Sequence, residues 1–149
     1  MYKAEYMELA IREAKKAFEE DEVPIGCVIV KDDKVIAKAH NRKEKKNDAT
    51  AHAEIECIRK AEKKLGAWYL KDCELYVTLE PCIMCAGAII NSRIDRVWFA
   101  ARDPKGGAFG SNLDITDIKK LNHYPEYGFH EDREYIKLLK EFFKGKRKK

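Results

Sequence analysis

The chain has 149 residues, 45% of them hydrophobic, with 30 Lys and Arg against 26 Asp and Glu for a formal charge of +4. That length supports one domain with a sizeable core and excludes two ordinary ones. No apolar run approaches the roughly 20 residues of a membrane-spanning helix, and Lys3, Glu5 and Glu8 interrupt any signal-peptide block, so a cytoplasmic protein without membrane contact is expected.

Tyr6, Leu9, Ala10, Ala14, Ala17 and Phe18 recur at spacings of three and four, which predicts an amphipathic helix over residues 2–20, ended by Pro24. Residues 25–30 and 35–39 are apolar, β-branched-rich runs, separated by the polar 31–34, and predict a β-hairpin. Residues 41–50 read as a polar, charged loop, and 51–65 return to helical spacing, with Gly66 as a C-terminal stop. Residues 75–79 read as a strand halted at Glu80, because the residue before a proline is pushed towards extended geometry. An apolar helix is expected from Pro81 to Ile90, then a strand over 96–101 and a Pro- and Gly-rich loop over 102–112. A last helix over 131–143 carries Tyr135, Leu138, Leu139 and Phe142 on one stripe, and a basic tail follows. Helices between strands predict an α/β domain with a mixed sheet, its site in loops at strand ends.

Five cysteines, an odd number with Cys82 and Cys85 three apart, do not make a secreted disulfide framework and point to metal or redox chemistry. His52, Cys82 and Cys85 supply three zinc-type ligands. A structural zinc is normally closed by four protein ligands, whereas a catalytic one keeps three and leaves a position for water. Glu54, two residues past the histidine, is not needed as a ligand and is free to move protons. If helices begin near Ala51 and Pro81, all three donors lie in or beside first turns, where the positive end of a helix favours thiolate. On a regular helix His52 and Glu54 lie about 200° apart, so both reach one site only at its end. The competing reading is a four-ligand structural zinc completed by Cys27, Cys57 or Cys73; Cys27 sits inside an apolar strand, Cys57 inside an amphipathic helix and Cys73 near a strand start, where free cysteine packs as a small core residue.

The His-x-Glu and Pro-Cys-x-x-Cys signature, with EVPIGCVIV at 22–30, HNR at 40–42, NDATAHAEI at 47–55, LYVTLEPCIMCAGAII at 75–90, SRIDRVWFAARDPKGGAFGS at 92–111 and LNH at 121–123, resembles the zinc-dependent nucleobase deaminases and, within them, the bacterial tRNA adenosine deaminases over nearly the full length. Ala49 stands where that family commonly has proline. The resemblance implies a three-layer α/β/α cytidine-deaminase-like fold with a central mixed five-stranded sheet. It implies one zinc per subunit on His52, Cys82 and Cys85, Glu54 as proton shuttle, and Asn41 hydrogen-bonded to a flipped purine. It further implies that Ala53 and Pro81 frame the reacting edge, that Asp103, Asn122 and His123 line the nucleotide path, and that Phe143 contacts RNA. Residues 1–143 would form the deaminase domain and 144–149 the basic tail. The implied reaction is adenosine to inosine at the wobble position of a tRNA anticodon stem-loop, by a cytoplasmic homodimer. A guanine or cytosine/nucleoside deaminase of the same superfamily, and a non-catalytic zinc-stabilised RNA-binding module, are the alternatives.

Overall fold

Two adjacent aspartates reverse the chain between its first strands. Asp32 and Asp33 both take positive φ, 50° and 60°, as a two-residue hairpin turn of matching twist demands. In the computed structural model, which describes residues 1–147, they join β1 (Gly26–Lys31) to β2 (Lys34–His40). Before them comes α1 (Ala4–Glu19); after them come α2 (Lys43–Lys46), α3 (Ala53–Leu65), β3 (Cys73–Leu79), α4 (Ile83–Asn91), β4 (Arg96–Ala101), a 3-10 turn at Ile115–Asp117, β5 (Glu126–Phe129) and α5 (Arg133–Arg147).

The five strands lie in the order β2-β1-β3-β4-β5. β1 is antiparallel to both β2 and β3, and β3, β4 and β5 are mutually parallel. β2, β3 and β4 therefore point the same way, and the segments that follow them all leave the sheet at one edge. Side-chain alternation divides the core: Cys27, Ile29, Leu75, Val77, Val97 and Phe99 pack under α3 and α4, while Val28, Val30 and Tyr76 pack under α1 and α5. This is the three-layer α/β/α architecture with a mixed five-stranded sheet. Cys27, Cys57 and Cys73 are buried and free, and the Cys57 thiol donates to the Cys27 carbonyl at 3.5 Å. Gly66 ends α3 in the left-handed region at φ 67°.

Besides shifts of one or two residues at the ends of other elements, four departures from the sequence reading matter for the architecture. The segment 41–50 is not all loop, because the buried Glu22 carboxylate accepts the Glu44 and Lys45 N–H groups at 3.0 and 2.7 Å and so caps α2. α4 starts at Ile83 rather than Pro81, since Cys82 is extended (φ −75°, ψ 175°) and serves as N-cap. The four-residue β5 was not read from the sequence residue by residue. α5 continues through Lys144 and Lys146 to Arg147 where a separate tail was expected, and the Lys148 and Lys149 of that tail lie outside the described residues. Among the described residues no helix is long and apolar enough to cross a membrane.

α1 approaches β1 so closely that position 26 has no room for a side chain. A Cβ on Gly26 would lie 1.9 Å from the Ala10 carbonyl oxygen and 2.5 Å from the Ala14 nitrogen, both backbone atoms that cannot swing away. Gly26→Ala is expected to destabilise the fold by about 3 kcal/mol through overpacking. Gly145→Ala, where a Cβ meets open space, should instead stabilise by roughly 0.5–1 kcal/mol through helix propensity. Urea unfolding of the two variants checks this; a Gly26→Ala midpoint equal to that of the parent chain would refute the close packing.

Candidate metal centre and substrate cleft

The common edge of β2, β3 and β4 receives the N-termini of α3 and α4. His52 is the N-cap of α3, with extended backbone at φ −74° and ψ 153°, and Cys82 is the N-cap of α4; neither uses its side chain to cap its own helix. Both side chains turn towards each other instead. His52 Nδ1 lies 3.8 Å from Cys82 Sγ and 3.6 Å from Cys85 Sγ, and the three donor atoms all fall within 4.8 Å of one another. A tetrahedral zinc about 2.0–2.1 Å from nitrogen and about 2.3 Å from sulfur has nitrogen–sulfur edges of about 3.6 Å. The donor set and its spacing thus fit such an ion, with one tetrahedral corner left over. The N-cap placement also resolves the angular difficulty: His52 lies outside the regular helix, so the 100° step per residue does not separate it from Glu54.

The electrostatics of the cluster suit a divalent cation. The hydrogen bond from Cys85 pulls the Cys82 thiol down to about 4, with His52 adding to the effect against burial. The bond to Cys82 raises His52 in turn, and sharing with the Cys82 thiolate, then burial, pushes Cys85 up. A metal entering here takes the place of the protons that these groups share. Glu54 stands in the first turn of α3 and is 3% exposed. Its Oε1 is buried without a hydrogen-bond partner. Buried polar atoms are nearly always paired in folded proteins, so this oxygen marks a place where water or substrate belongs. Burial pushes the Glu54 carboxyl up from its ordinary 4.5 to about 7.

Two cavities open beside the segments that follow β2 and β4, and none of His52, Glu54, Cys82 and Cys85 lines either of them. One, of about 860 Å³, is lined by Glu22, Asn41, Lys43, Phe142, Phe143 and Lys146. The buried Asn41 is held there by its own N–H on the Ile25 carbonyl and by the Arg42 N–H on the carbonyl of Ala51, next to His52. The other, of about 1000 Å³, is lined by Arg102, Asp103, Lys105, Leu139, Lys140 and Phe143, among others. Asp103 also closes its own loop, Oδ1 accepting the Lys105 and Gly106 N–H groups at 3.2 Å. Phe142 is buried against Phe18, whereas Phe143 is 42% exposed between the two cavities. Ala53 and Pro81 are buried at the helix starts, and the Pro81 carbonyl accepts the Ala108 N–H at 2.9 Å.

Asn122 and His123 are not brought to this edge within the chain. His123 Nε2 donates to the Ile94 carbonyl at 2.7 Å, before β4 begins, and the six residues of β4 span about 20 Å at roughly 3.3 Å per residue. The reason is topological: β5 runs parallel to β4, so the segment feeding β5 must lie at the opposite edge. Sequence reasoning also missed Glu22, Glu56 and Glu80, three buried carboxylates that hold the surrounding loops. Glu56 pairs with Lys46 at 2.5 Å, and Glu80 gathers the loop after β4. For Glu56 and Glu80 the signal available was a glutamate set among apolar residues; Glu22 follows Glu19, Glu20 and Asp21 and carries no such signal.

A carboxyl raised by burial stabilises the fold fully below its unfolded value of 4.5 and loses that contribution as pH rises through about 7. Glu54→Gln is neutral at every pH. With a chelator present, the variant is expected to gain in melting temperature over the parent chain between pH 4.5 and 7.5; a difference that does not change with pH would sink this.

A family model described as MafB19-like deaminase matches residues 1–147. The chain is 49% identical over 144 residues to a tRNA-specific adenosine deaminase of Aquifex aeolicus (strain VF5), covering 97% of this chain and 95% of that protein. A solved structure from a study of A-to-I editing by tRNA:A34 deaminases at the wobble position superposes with a TM-score of 0.88 at 45% identity, over 92% of this chain and 99% of the other. The guanine deaminase of Bacillus subtilis superposes at 0.67 with 32% identity, over 97% and 95% of the two chains.

Proposed function

The chain belongs to the tRNA-specific adenosine deaminases, within the MafB19-like deaminase family, and from that membership we propose that it converts adenosine to inosine at the wobble position of a tRNA anticodon. The observation that carries the chemistry is the unpartnered buried Oε1 of Glu54 beside a three-donor cluster. His52 Nδ1, Cys82 Sγ and Cys85 Sγ would hold one zinc per chain, which supplies the Lewis acidity that makes water a nucleophile near neutral pH. Glu54 takes a proton from the attacking water and gives it to the purine ring nitrogen, then takes the remaining proton of the added hydroxyl and gives it to the departing amine, which leaves as ammonia. A carboxyl held near 7 by burial is suited to giving and taking at cellular pH. Asn41 hydrogen-bonds the flipped base, and the backbone at Ala53 and Pro81 borders its reacting edge.

The RNA reading rests on the cleft. Phe143 offers an exposed aromatic face between two cavities whose walls carry Lys43, Arg102, Lys105, Lys140, Lys144 and Lys146. An aromatic platform among cations suits unstacked bases and phosphates. In this reading residues 1–143 form the deaminase domain, and the basic segment 144–149 adds phosphate contacts, with Asp103 in the nucleotide path. A tRNA substrate implies work in the cytoplasm. The assay is incubation of the zinc-loaded protein with an anticodon stem-loop carrying adenosine at the wobble position, and separately with free adenosine, guanine and cytidine. Inosine is expected in the RNA alone, and Glu54→Gln should keep its zinc while losing roughly 100- to 10,000-fold in kcat. Turnover of a free base alone would replace this substrate with a small molecule, and Glu54→Gln losing its zinc would make Glu54 a ligand.

A homodimer completes the proposal. α4 is apolar all round, a pattern that belongs to helices buried on every side, yet Ile83 is 60% exposed and Met84, Gly87 and Ala88 are half-buried. A second copy covering this face removes the discrepancy. Light scattering should find a dimer for the parent chain and a monomer for Ile83→Glu; a monomeric parent would refute the pairing.

A further inference from the structure

Glu80 lies between the last residue of β3 and Pro81, and it is 2% exposed. Its N–H donates to the Ala101 carbonyl at 2.8 Å, which extends the β3–β4 pairing past the strand ends. Its carboxylate collects four donors, all from the loop after β4. Oε1 accepts the Asp103 N–H at 3.1 Å and the Ser111 hydroxyl; Oε2 accepts the Phe109 N–H at 3.0 Å and the Ser111 N–H at 3.1 Å. The loop is wrapped so tightly that a Cβ on Gly107 would fall 2.3 Å from the Glu80 carboxyl carbon. Gly107 in turn bridges to Cys82, and Ala108 donates to Pro81.

A buried carboxylate is costly unless it is fully hydrogen-bonded, and among the described residues no Lys or Arg forms an ion pair with this one. Every donor it has is a group that fixes the path of residues 103–111. Two parts of the site come from different loops: the donors Cys82 and Cys85 follow β3, and Asp103 with Lys105, on the wall of the larger cavity, follows β4. We propose that Glu80 is a positioning residue for the deamination, its carboxylate setting the substrate loop 102–111 in register with the metal-binding turn 80–85. This inference rests on the deaminase reading above. Gln at this position keeps the size but offers one acceptor oxygen and turns an NH2 group onto the loop's N–H donors; Ser111→Ala removes one donor of the four and leaves the carboxylate in place.

The test uses the full-length, zinc-loaded chain. For Glu80→Gln and Ser111→Ala, one measures zinc per chain, kcat and KM per bound zinc on the anticodon stem-loop, amide hydrogen exchange across 103–111 and zinc release to a chelator. Glu80→Gln is expected to bind about one zinc and to lose roughly tenfold to a hundredfold in kcat/KM, as small misplacements of reacting groups do. Its amides at Phe109 and Ser111 should exchange faster, and Ser111→Ala should show a smaller loss in the same direction. A lower melting temperature with kcat and KM per bound zinc unchanged would reduce Glu80 to a purely structural role and overturn the proposal. If Glu80→Gln does not fold, unchanged kinetics in Ser111→Ala overturn it equally. Failure of the parent chain on the stem-loop would instead refute the substrate reading. Exchange at 103–111 and zinc release then still decide Glu80, and parent-like values for both count against it.

Discussion

His52 and Cys82 occupy the two positions that a protein ordinarily fills with Ser, Thr, Asp or Asn. Each is the N-cap of a helix, and neither side chain satisfies its helix's free N–H groups. α3 and α4 therefore begin uncapped and aimed at one point, which concentrates the positive ends of two helices around the donor cluster. The rest of the fold is organised to make that convergence possible. β2, β3 and β4 share a direction only because β1 is inserted antiparallel between β2 and β3. The hairpin turn at Asp32 and Asp33 is what reverses β1 into β2, so two aspartates in left-handed geometry help to bring His52 to the edge where Cys82 emerges.

Loops at such an edge have no sheet to hold them, and here buried carboxylates substitute. Glu22 caps the short helix that follows Asn41; Glu56 reaches Lys46 from inside α3. Glu80 gathers the loop that follows β4. In each case an acidic side chain anchored on or beside a regular element accepts hydrogen bonds or an ion pair from the connection after a strand, the short helix α2 for Glu22 and Glu56 and an irregular loop for Glu80. Satisfied in this way, such networks favour one arrangement over many. Glu54 is the exception that shows the rule. It is buried like the others, yet one oxygen has no partner, and it stands in the first turn of α3, two residues past His52.

Much of this was legible in the sequence, for physical reasons that differ by element. β4 was read at its observed bounds because RVWFAA is apolar and flanked by breakers; α3 was read to its observed end because its apolar period and Gly66 agree, and two residues early at its start, where His52 is extended as the N-cap. The donor set was legible because few functions require His, Cys, Cys and a surplus Glu together. α2 was not, since KEKK has no apolar face and owes its helix to Glu22, twenty-two residues earlier than Glu44. β5 escaped because EYGF is short and interrupted by Gly128, whose missing side chain makes room for the Trp98 ring. The far-edge placement of Asn122 and His123 depends on the direction of β5, which no local pattern encodes. Glu80 was noticed as the residue before a proline, but its four donors lie 23 to 31 residues away.

α4 has nine residues and three obligations. Its start carries the donors Cys82 and Cys85, its inner face gives Ala86, Ile89 and Ile90 to the core, and its outer face leaves Ile83 exposed with Met84 and Gly87 half-covered. A surface helix elsewhere in the chain, such as α1 with its charged outer stripe, has positions on which neutral drift can act. α4 has almost none, since a side-chain change at nearly any of its positions meets the donor cluster, the core or the exposed apolar face.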